Sequence, residues 1–468
     1  MNNTEINFPK GSKSDLRDVI TNQLLIFLEA QNYDAAKTLL IPVASVDIAE
    51  AIADLPKTLQ IIAFRLLNKS QAIDVYEHLD RNTQYLLIEK FKNAEANEII
   101  NNMSPDDRVK LFDELPPQLA RTLVAQLSPE ERELNALLFG YSADTAGRIM
   151  TPKYIYVKET ITANEAQAKI RNLADKIEVA YYIYVTDNNK RLQGTLSLKD
   201  LIVAKPEAII SEIMNRNIIY AYTDTDQEEV AKLIQRYDLL ALPIVDKDEN
   251  LLGVVTVDDV IDILEEEATE DIYRMGAINT ESDDQNYFKL GLYKITKKRI
   301  PWLLILLITN SGTVFLMSNF EEVLEEVVAL AFFTPLLIDA GGNIGAQSST
   351  VVIRGLSTDE LRDKKPFSII VKELITGGLL GIILAVIVIA MIFVFLGKPE
   401  IGFIVGISLI AISIIAATTG TALPFVFNKM GFDPALMSAP FITTVVDVLG
   451  IFIYFSIAQL ILKESLRN

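Results

Sequence analysis

From Ile300 onward the chain contains five stretches of mostly apolar residues, at about 300–319, 324–350, 372–396, 400–427 and 439–462. A helix needs about 20 such residues to cross the hydrocarbon of a bilayer. In lipid the backbone must satisfy its own hydrogen bonds, so the C-terminal part is confined to a bundle of helices. Before about residue 295 the composition changes, and Lys, Glu, Asp and Asn dominate. The opening "MNNTEINFPKGSKSDLRD" has no apolar core of a secretory signal, so the large polar part is expected to stay in the cytoplasm.

Orientation follows from Lys and Arg in short loops. "YKITKKRIP" precedes the first span with four basic residues, and the loop 354–372 carries Arg354, Arg362, Lys364, Lys365 and Lys372. "NFEEVLEEV", between the first two spans, is purely acidic. The polar half and the 354–372 loop are therefore expected inside the cytoplasmic membrane and the acidic turn outside. Five spans then leave the C-terminus outside.

Several spans hold polar residues. Asp339 is followed by Gly341, Gly342, Asn343, Gly345 and Gln347; the fourth span contains "AATTGTALPF"; the fifth holds Thr443, Thr444 and Asp447. Small residues let helices approach closely, and polar ones facing lipid are costly. A central acid costs about 3 kcal/mol even on the lenient insertion scale. No Lys or Arg lies within 439–462 to neutralise Asp447, so the expected relief is a passing cation. Mg²⁺ suits a lone carboxylate, because it retains its inner waters and binds through one or two acids. Two copies of Asp447 in a dimer could flank one hydrated ion, with Thr443 contributing to its waters.

Composition narrows the chemistry. The chain has no cysteine, which excludes disulfides and thiolate metal sites, and its single histidine, His78, argues against a His-built zinc or iron centre. A net charge of −19 disfavours nucleic acid as a partner. Dense carboxylates without soft ligands favour Mg²⁺ or Ca²⁺. A membrane enzyme using Asp339 and Asp447 is disfavoured, because no nucleophile elbow, phosphate-binding loop or His-assisted site accompanies them. An anion path would require basic residues in the spans, and these have none.

Two segments of the polar half repeat, aligning Met150 with Met214, Val185 with Val245, Gly194 with Gly253 and Asp200 with Asp259. Each reads as strand, amphipathic helix, strand, turn, strand, helix. The doubled "G-x-[LV]-[ST]-x-x-D" ending resembles a pair of cystathionine-β-synthase (CBS) domains over about 146–268. That resemblance implies an adenine-nucleotide or ion sensor, with Asp200 and Asp259 contacting ribose and Tyr182 near the base. A structural pair without ligand is the alternative.

Upstream, residues 15–145 read as short helices in series. Ser104-Pro105 and Ser128-Pro129 mark helix starts, and Leu-Pro pairs at 55–56 and 115–116 mark breaks. A superhelical, solenoid-like all-α domain is expected. The densest charge signal is "VDDVIDILEEEATEDIYRMGAINTESDD", with eleven acids and one base, Arg274. Like charges at helical spacing repel, so this is either a solvated acidic face or one neutralised by divalent ions. A helix expected at roughly 286–298 joins it to the first span, as an ion-controlled gate requires.

The whole layout resembles the MgtE magnesium channels. Residues 15–145 form the helical N-domain, 146–210 and 211–272 the α/β tandem CBS domains, 273–299 a connecting helix and 300–465 the five-span pore. The motifs that carry the resemblance are "PLLIDAGGNIGAQSS", "GFDPALMSAPFITTVVDVLG" and "VTVDDVIDILEEEATEDI". It implies a homodimer importing Mg²⁺, with the pore at the dimer interface, Asp447 as pore aspartate, Thr443 lining the pore and Asp433 at the cytoplasmic side. It implies regulatory Mg²⁺ ligands at Asp226, Asp238, Asp259, Asp262, Glu267, Glu270 and Asp271, with Asp74 and Asp106 in the N-domain. It implies closure when internal Mg²⁺ bridges these acids, strengthened by ATP at the CBS pair. Two positions depart: Lys110 stands where an acid is expected after Asp106, and Ala439 where some members have Asn. A CBS-regulated transporter of Co²⁺ or Mn²⁺ is the alternative.

Overall fold

The computed structural model describes residues 13–91, 93–173, 179–278, 291–321, 325, 327–358, 360–361, 364–433 and 439–465. The chain divides into two compact units, residues 1–264 and 265–468.

The first unit begins with ten described helices, from Lys13–Glu29 (α1) to Pro129–Phe139 (α10). Along this series α3 (Ser45–Asp54) meets α5 (Lys69–Glu77), α4 (Lys57–Arg65) meets α6 (Arg81–Lys90), α5 meets α7 (Asn93–Asn102), α7 meets α9 (Pro117–Gln126) and α8 (Pro105–Glu114) meets α10. Packing onto the helix two places ahead is what winds short helices into a superhelix. The sequence signals hold: α8 (Pro105–Glu114) and α10 both start with Pro in the first turn, and Ser128 Oγ accepts the Glu131 N–H at 3.3 Å. Arg108 of α8 is fully buried; it donates to the Ile100 carbonyl at 3.0 Å and pairs with Glu131. Val109 and Leu138 belong to the same apolar core as Met150, Ile244 and Val255, so the last helices of the series and the second repeat bury one common surface.

The repeats follow, joined to the series by the short α11 (Ala146–Ile149). The first is β1 (Tyr154–Lys158), α12 (Ala163–Leu173), β2 (Val179–Thr186), β3 (Leu192–Ser197) and α13 (Leu198–Val203). After α14 (Ile210–Ile213), the second is β4 (Ala221–Tyr222), α15 (Gln227–Tyr237), β5 (Ala241–Val245), β6 (Leu251–Thr256) and α16 (Val257–Met275). Each sheet pairs its first two strands in parallel and its last two antiparallel. The strand register corrects one alignment. Val185 faces Gly194, but Gly253 faces Ile244 rather than Val245. Identity of side chain had drawn Val185 to Val245, one residue off the true partner.

The second unit contains five helices long and apolar enough to cross a membrane. Span one is Leu292–Asn319, which runs unbroken through Pro301. The separate connecting helix expected at roughly 286–298 is thus, in its described part, the start of span one; residues 279–290 lie outside the described residues. Span two is a 3₁₀ turn, Val328–Phe333, leading into the helix Thr334–Ser357. Spans three, four and five are Pro366–Leu396, Pro399–Lys429 and Ala439–Ser465. Spans two and three extend further toward the basic loop than their apolar stretches alone, and Pro at the first helical turn starts spans two, three and four.

Candidate ion path and regulatory acids

Glycine positions span two against its neighbours. A Cβ on Gly341 would fall 2.6 Å from Ile412 of span four, and one on Gly345 would fall 3.1 Å from Ile442 and Val446 of span five. Gly342 lies on the side that meets Thr443 and Asp447: a Cβ there would sit 3.2 Å from Thr443 Cγ2 and 3.7 Å from Asp447 Oδ1. Asp447 and Thr443, four residues apart on span five, therefore share one edge of span two, and both are half-buried. The Thr443 hydroxyl donates to the Pro440 carbonyl at 2.9 Å.

Span two carries a second feature that the site assignment from sequence omitted. Asp339, Asn343, Gln347 and Thr350 are all exposed, at helical steps that put them on one face, while Gly341, Ile344, Gly345, Ser348 and Val352 are buried on the other. The spacing 339, 343, 347 was visible in the sequence; what was not visible is that this face has no other span of the chain packed over it among the described residues.

The acids near the ends of spans two and four form a different arrangement. Span four ends at Lys429, and Gly431, with φ +80°, turns the chain so that Asp433 follows. Asp433 forms an ion pair with Arg274, which also pairs with Glu270 one turn earlier on α16. Burial alone would lower the Arg274 pKa, but Glu270, Asp433 and Asp271 outweigh it and raise it above the ordinary arginine value. Ser357, at the end of span two, donates to Asp271 at 3.5 Å. The sequence showed Arg274 only as the lone base of an acidic run; its partner lies 159 residues away.

The remaining acids are dispersed. Asp226 caps α15, accepting the Glu228 N–H at 2.8 Å, and Asp238 ends the same helix in the left-handed region, φ +51°. Asp262 and Asp74 are exposed, and Asp106 and Glu267 are partly buried. Among the described residues no three acidic or histidine side chains converge to hold a metal ion. Lys110, the departure noted after Asp106, is exposed on α8.

In the CBS pair, Asp200 and Asp259 occupy equivalent places. Ser197 Oγ donates to Asp200 at 2.6 Å, Asp200 N–H donates back to Ser197 Oγ at 3.0 Å, and Thr256 donates to Asp259 in the same way. These are helix-capping arrangements. Tyr182 faces Ser197 across the β2–β3 ladder, so Tyr182 and Asp200 flank one end of that sheet. Tyr182, Tyr154 and Tyr220 are each partly buried against the cluster of Tyr184, Val245, Leu251 and Val254, and burial pushes the Tyr184 phenol well above its ordinary pKa.

Comparison with known proteins agrees with this architecture. Residues 334–457 match the MgtE family, described as divalent cation transporters; residues 43–144 match the MgtE intracellular N domain, and 146–207 and 210–266 match CBS domains. The magnesium transporter MgtE of Thermus thermophilus is 38% identical over 85% of this chain and 94% of its own. That of Bacillus subtilis is 35% identical over 88% of this chain and 90% of its own. The crystal structure of the cytosolic domain of the Mg²⁺ channel MgtE in complex with ATP is 36% identical, with a TM-score of 0.50, covering 52% of this chain and 99% of that one.

Proposed function

This chain belongs to the MgtE family, and from that premise we propose that it imports Mg²⁺ through the membrane beside Asp447. The observation that carries the reading is the acid edge between spans two and five: Asp447 and Thr443 against Gly342, continued by the exposed face of Asp339, Asn343 and Gln347. Carboxylates and amides turned to lipid are expensive, so this face borders water or a second copy. Hydrated Mg²⁺ removes the penalty at Asp447 and keeps its waters, which Asn343, Gln347 and backbone carbonyls hydrogen-bond. An oxygen-lined path without cationic side chains rejects anions.

A homodimer supports this path, because a second copy brings the two Asp447 edges face to face. The polar half lies in the cytoplasm, as the basic residues before span one and after span two require, and an odd number of spans puts the C-terminus outside.

Internal Mg²⁺ regulates the path through the acids at Asp226, Asp238, Asp259, Asp262, Glu267, Glu270 and Asp271, with Asp74 and Asp106 as N-domain contributors. Along α16, Asp259, Asp262, Glu267, Glu270 and Asp271 repel one another until divalent ions neutralise them. The end of that helix is tied to the end of span two by Ser357–Asp271 and to the turn after span four by Arg274–Asp433, so neutralising its charge acts on both places. ATP is a regulatory ligand at the Tyr182–Asp200 end of the first CBS sheet; Asp259 is its counterpart in the second repeat.

The test is Mg²⁺ uptake in cells stripped of their own magnesium importers. The wild-type chain restores growth at low Mg²⁺, and Asp447→Asn does not, at equal membrane abundance. Intact uptake by Asp447→Asn overturns the path.

A further inference from the structure

Glu373 is an acid within the helix of span three that the ion path above does not use. It is partly buried, and it accepts a hydrogen bond from Ser348 Oγ of span two at 2.8 Å. Span three lies along span four, notched into it by Gly377 and Gly381 against Ser413. It contains the most apolar stretch of the five spans. A carboxylate at the inner end of such a helix is unfavourable unless it is bonded.

Span two meets spans four and five through Gly341, Gly342, Gly345 and Gly420. Apolar contact of this kind holds two helices together but has no directional preference. The Ser348–Glu373 hydrogen bond is directional, and it is the one described side-chain hydrogen bond between the helix of span two and another span. Ser348 lies nine residues after Asp339, two and a half helical turns on, which places it on the opposite side of span two. A bond at the back of the helix fixes which way its front faces.

We propose that Glu373 is a positioning residue: acting through Ser348, it holds span two rotated so that Asp339, Asn343 and Gln347 face the ion path. The proposal rests on the reading of that face as the path. Glu373 itself touches no ion.

The chain has no cysteine, so a single reporter is unambiguous. Asn343→Cys in the full-length protein, in membrane vesicles, is labelled with a membrane-impermeant thiol reagent. Adding Glu373→Ala or Ser348→Ala is expected to slow labelling about three- to tenfold, the range that one interhelical hydrogen bond sustains. The two together are expected to be no slower than either alone. Glu373→Gln keeps an acceptor oxygen for the Ser348 hydroxyl and is expected to label at the parent rate. Unchanged rates in the Ala variants, additive effects in the double variant, or a Gln variant as slow as Ala each overturn the proposal. Should Glu373→Ala fail to reach the membrane, Ser348→Ala, which removes a single oxygen, decides alone. A parent reporter closed to the reagent from both sides sinks the path reading, and this inference with it. Labelled parents with unresponsive variants sink only the role of Glu373.

Discussion

The sulfur of Met214 lies 2.5 Å from where a Cβ on Gly194 would stand, and Met150 repeats the relationship with Gly253 at 2.6 Å. The contacts cross between repeats: the lead-in to each packs on the last strand of the other. Backbone bonds follow the same exchange, with Thr151 paired to Val254 and Asn215 to Thr195. Neither repeat therefore completes its own sheet surface. Gly194→Ala or Gly253→Ala is expected to destabilise the CBS pair by about 1–3 kcal/mol, the usual range for overpacking. Thermal unfolding of the cytosolic fragment checks this, and a change in either glycine should lower one shared transition rather than split it in two.

Arg274 serves two acids at once, Glu270 and Asp433. All three side chains are about one-third exposed, so each pair contributes at most about 1 kcal/mol and its loss leaves folding intact. Arg274→Ala should act on the gate instead. Without a tethered cation, Asp433, Glu270 and Asp271 must be neutralised by Mg²⁺ alone. Half-closure is expected to require about two- to fivefold more cytosolic-side Mg²⁺. Flux or current measured against Mg²⁺ on the cytosolic face reads the shift; an unchanged midpoint removes Arg274 from the regulatory account.

What could be read in advance follows a physical divide. The five spans were legible because lipid constrains composition directly, length and apolarity being properties of short stretches; Asp447 stood out there as a misplaced charge, but its place against Gly342 needed the fold. The CBS repeats were legible because Gly194 and Gly253 recur in register. An alignment shows equivalence, however, and not partnership, so it gave no sign that Met150 packs on Gly253 rather than Gly194. Residues 286–298 read as a helix separate from span one, yet Leu292–Asn319 is one helix that continues through Pro301; polarity marks where the chain enters lipid, not where a helix ends. Asp200 and Asp259 read as ligand contacts, and their geometry adds a capping role that the S/T-x-x-D spacing itself encodes. Links such as Arg274–Asp433 and Ser348–Glu373 join residues far apart in sequence and needed the fold.

Ile202 and Ile261 are 64% and 60% exposed, and they occupy the same place in the two repeats, two residues after Asp200 and Asp259. Two apolar side chains left bare at equivalent positions fit coverage by a second copy. On the homodimer proposed above, Ile202→Glu combined with Ile261→Glu should leave the isolated cytosolic fragment folded but shift its mass by light scattering from dimer toward monomer, and a parent fragment that is already monomeric removes this contact. A fragment that stays dimeric places the contact elsewhere.

Gly420 of span four faces the backbone of span two so closely that any Cβ there would overlap the carbonyl of Gly345. A backbone oxygen cannot rotate aside as a side chain can, so Gly420→Ala must push spans two and four apart. Span two carries the face of Asp339, Asn343 and Gln347, and Gly342 on it abuts Asp447. The displacement therefore acts on the path and on the packing together. Uptake of Mg²⁺ is expected to fall at least about tenfold, with a lower melting temperature in detergent, for overpacking of about 1–3 kcal/mol. Gly402→Ala is the control on the same helix, because its nearest neighbours would stand at 3.6 Å, an ordinary contact. That variant should transport and melt like the parent; equal damage from both would mean that span four tolerates no added methyl anywhere, and the Gly345–Gly420 crossing would lose its special standing.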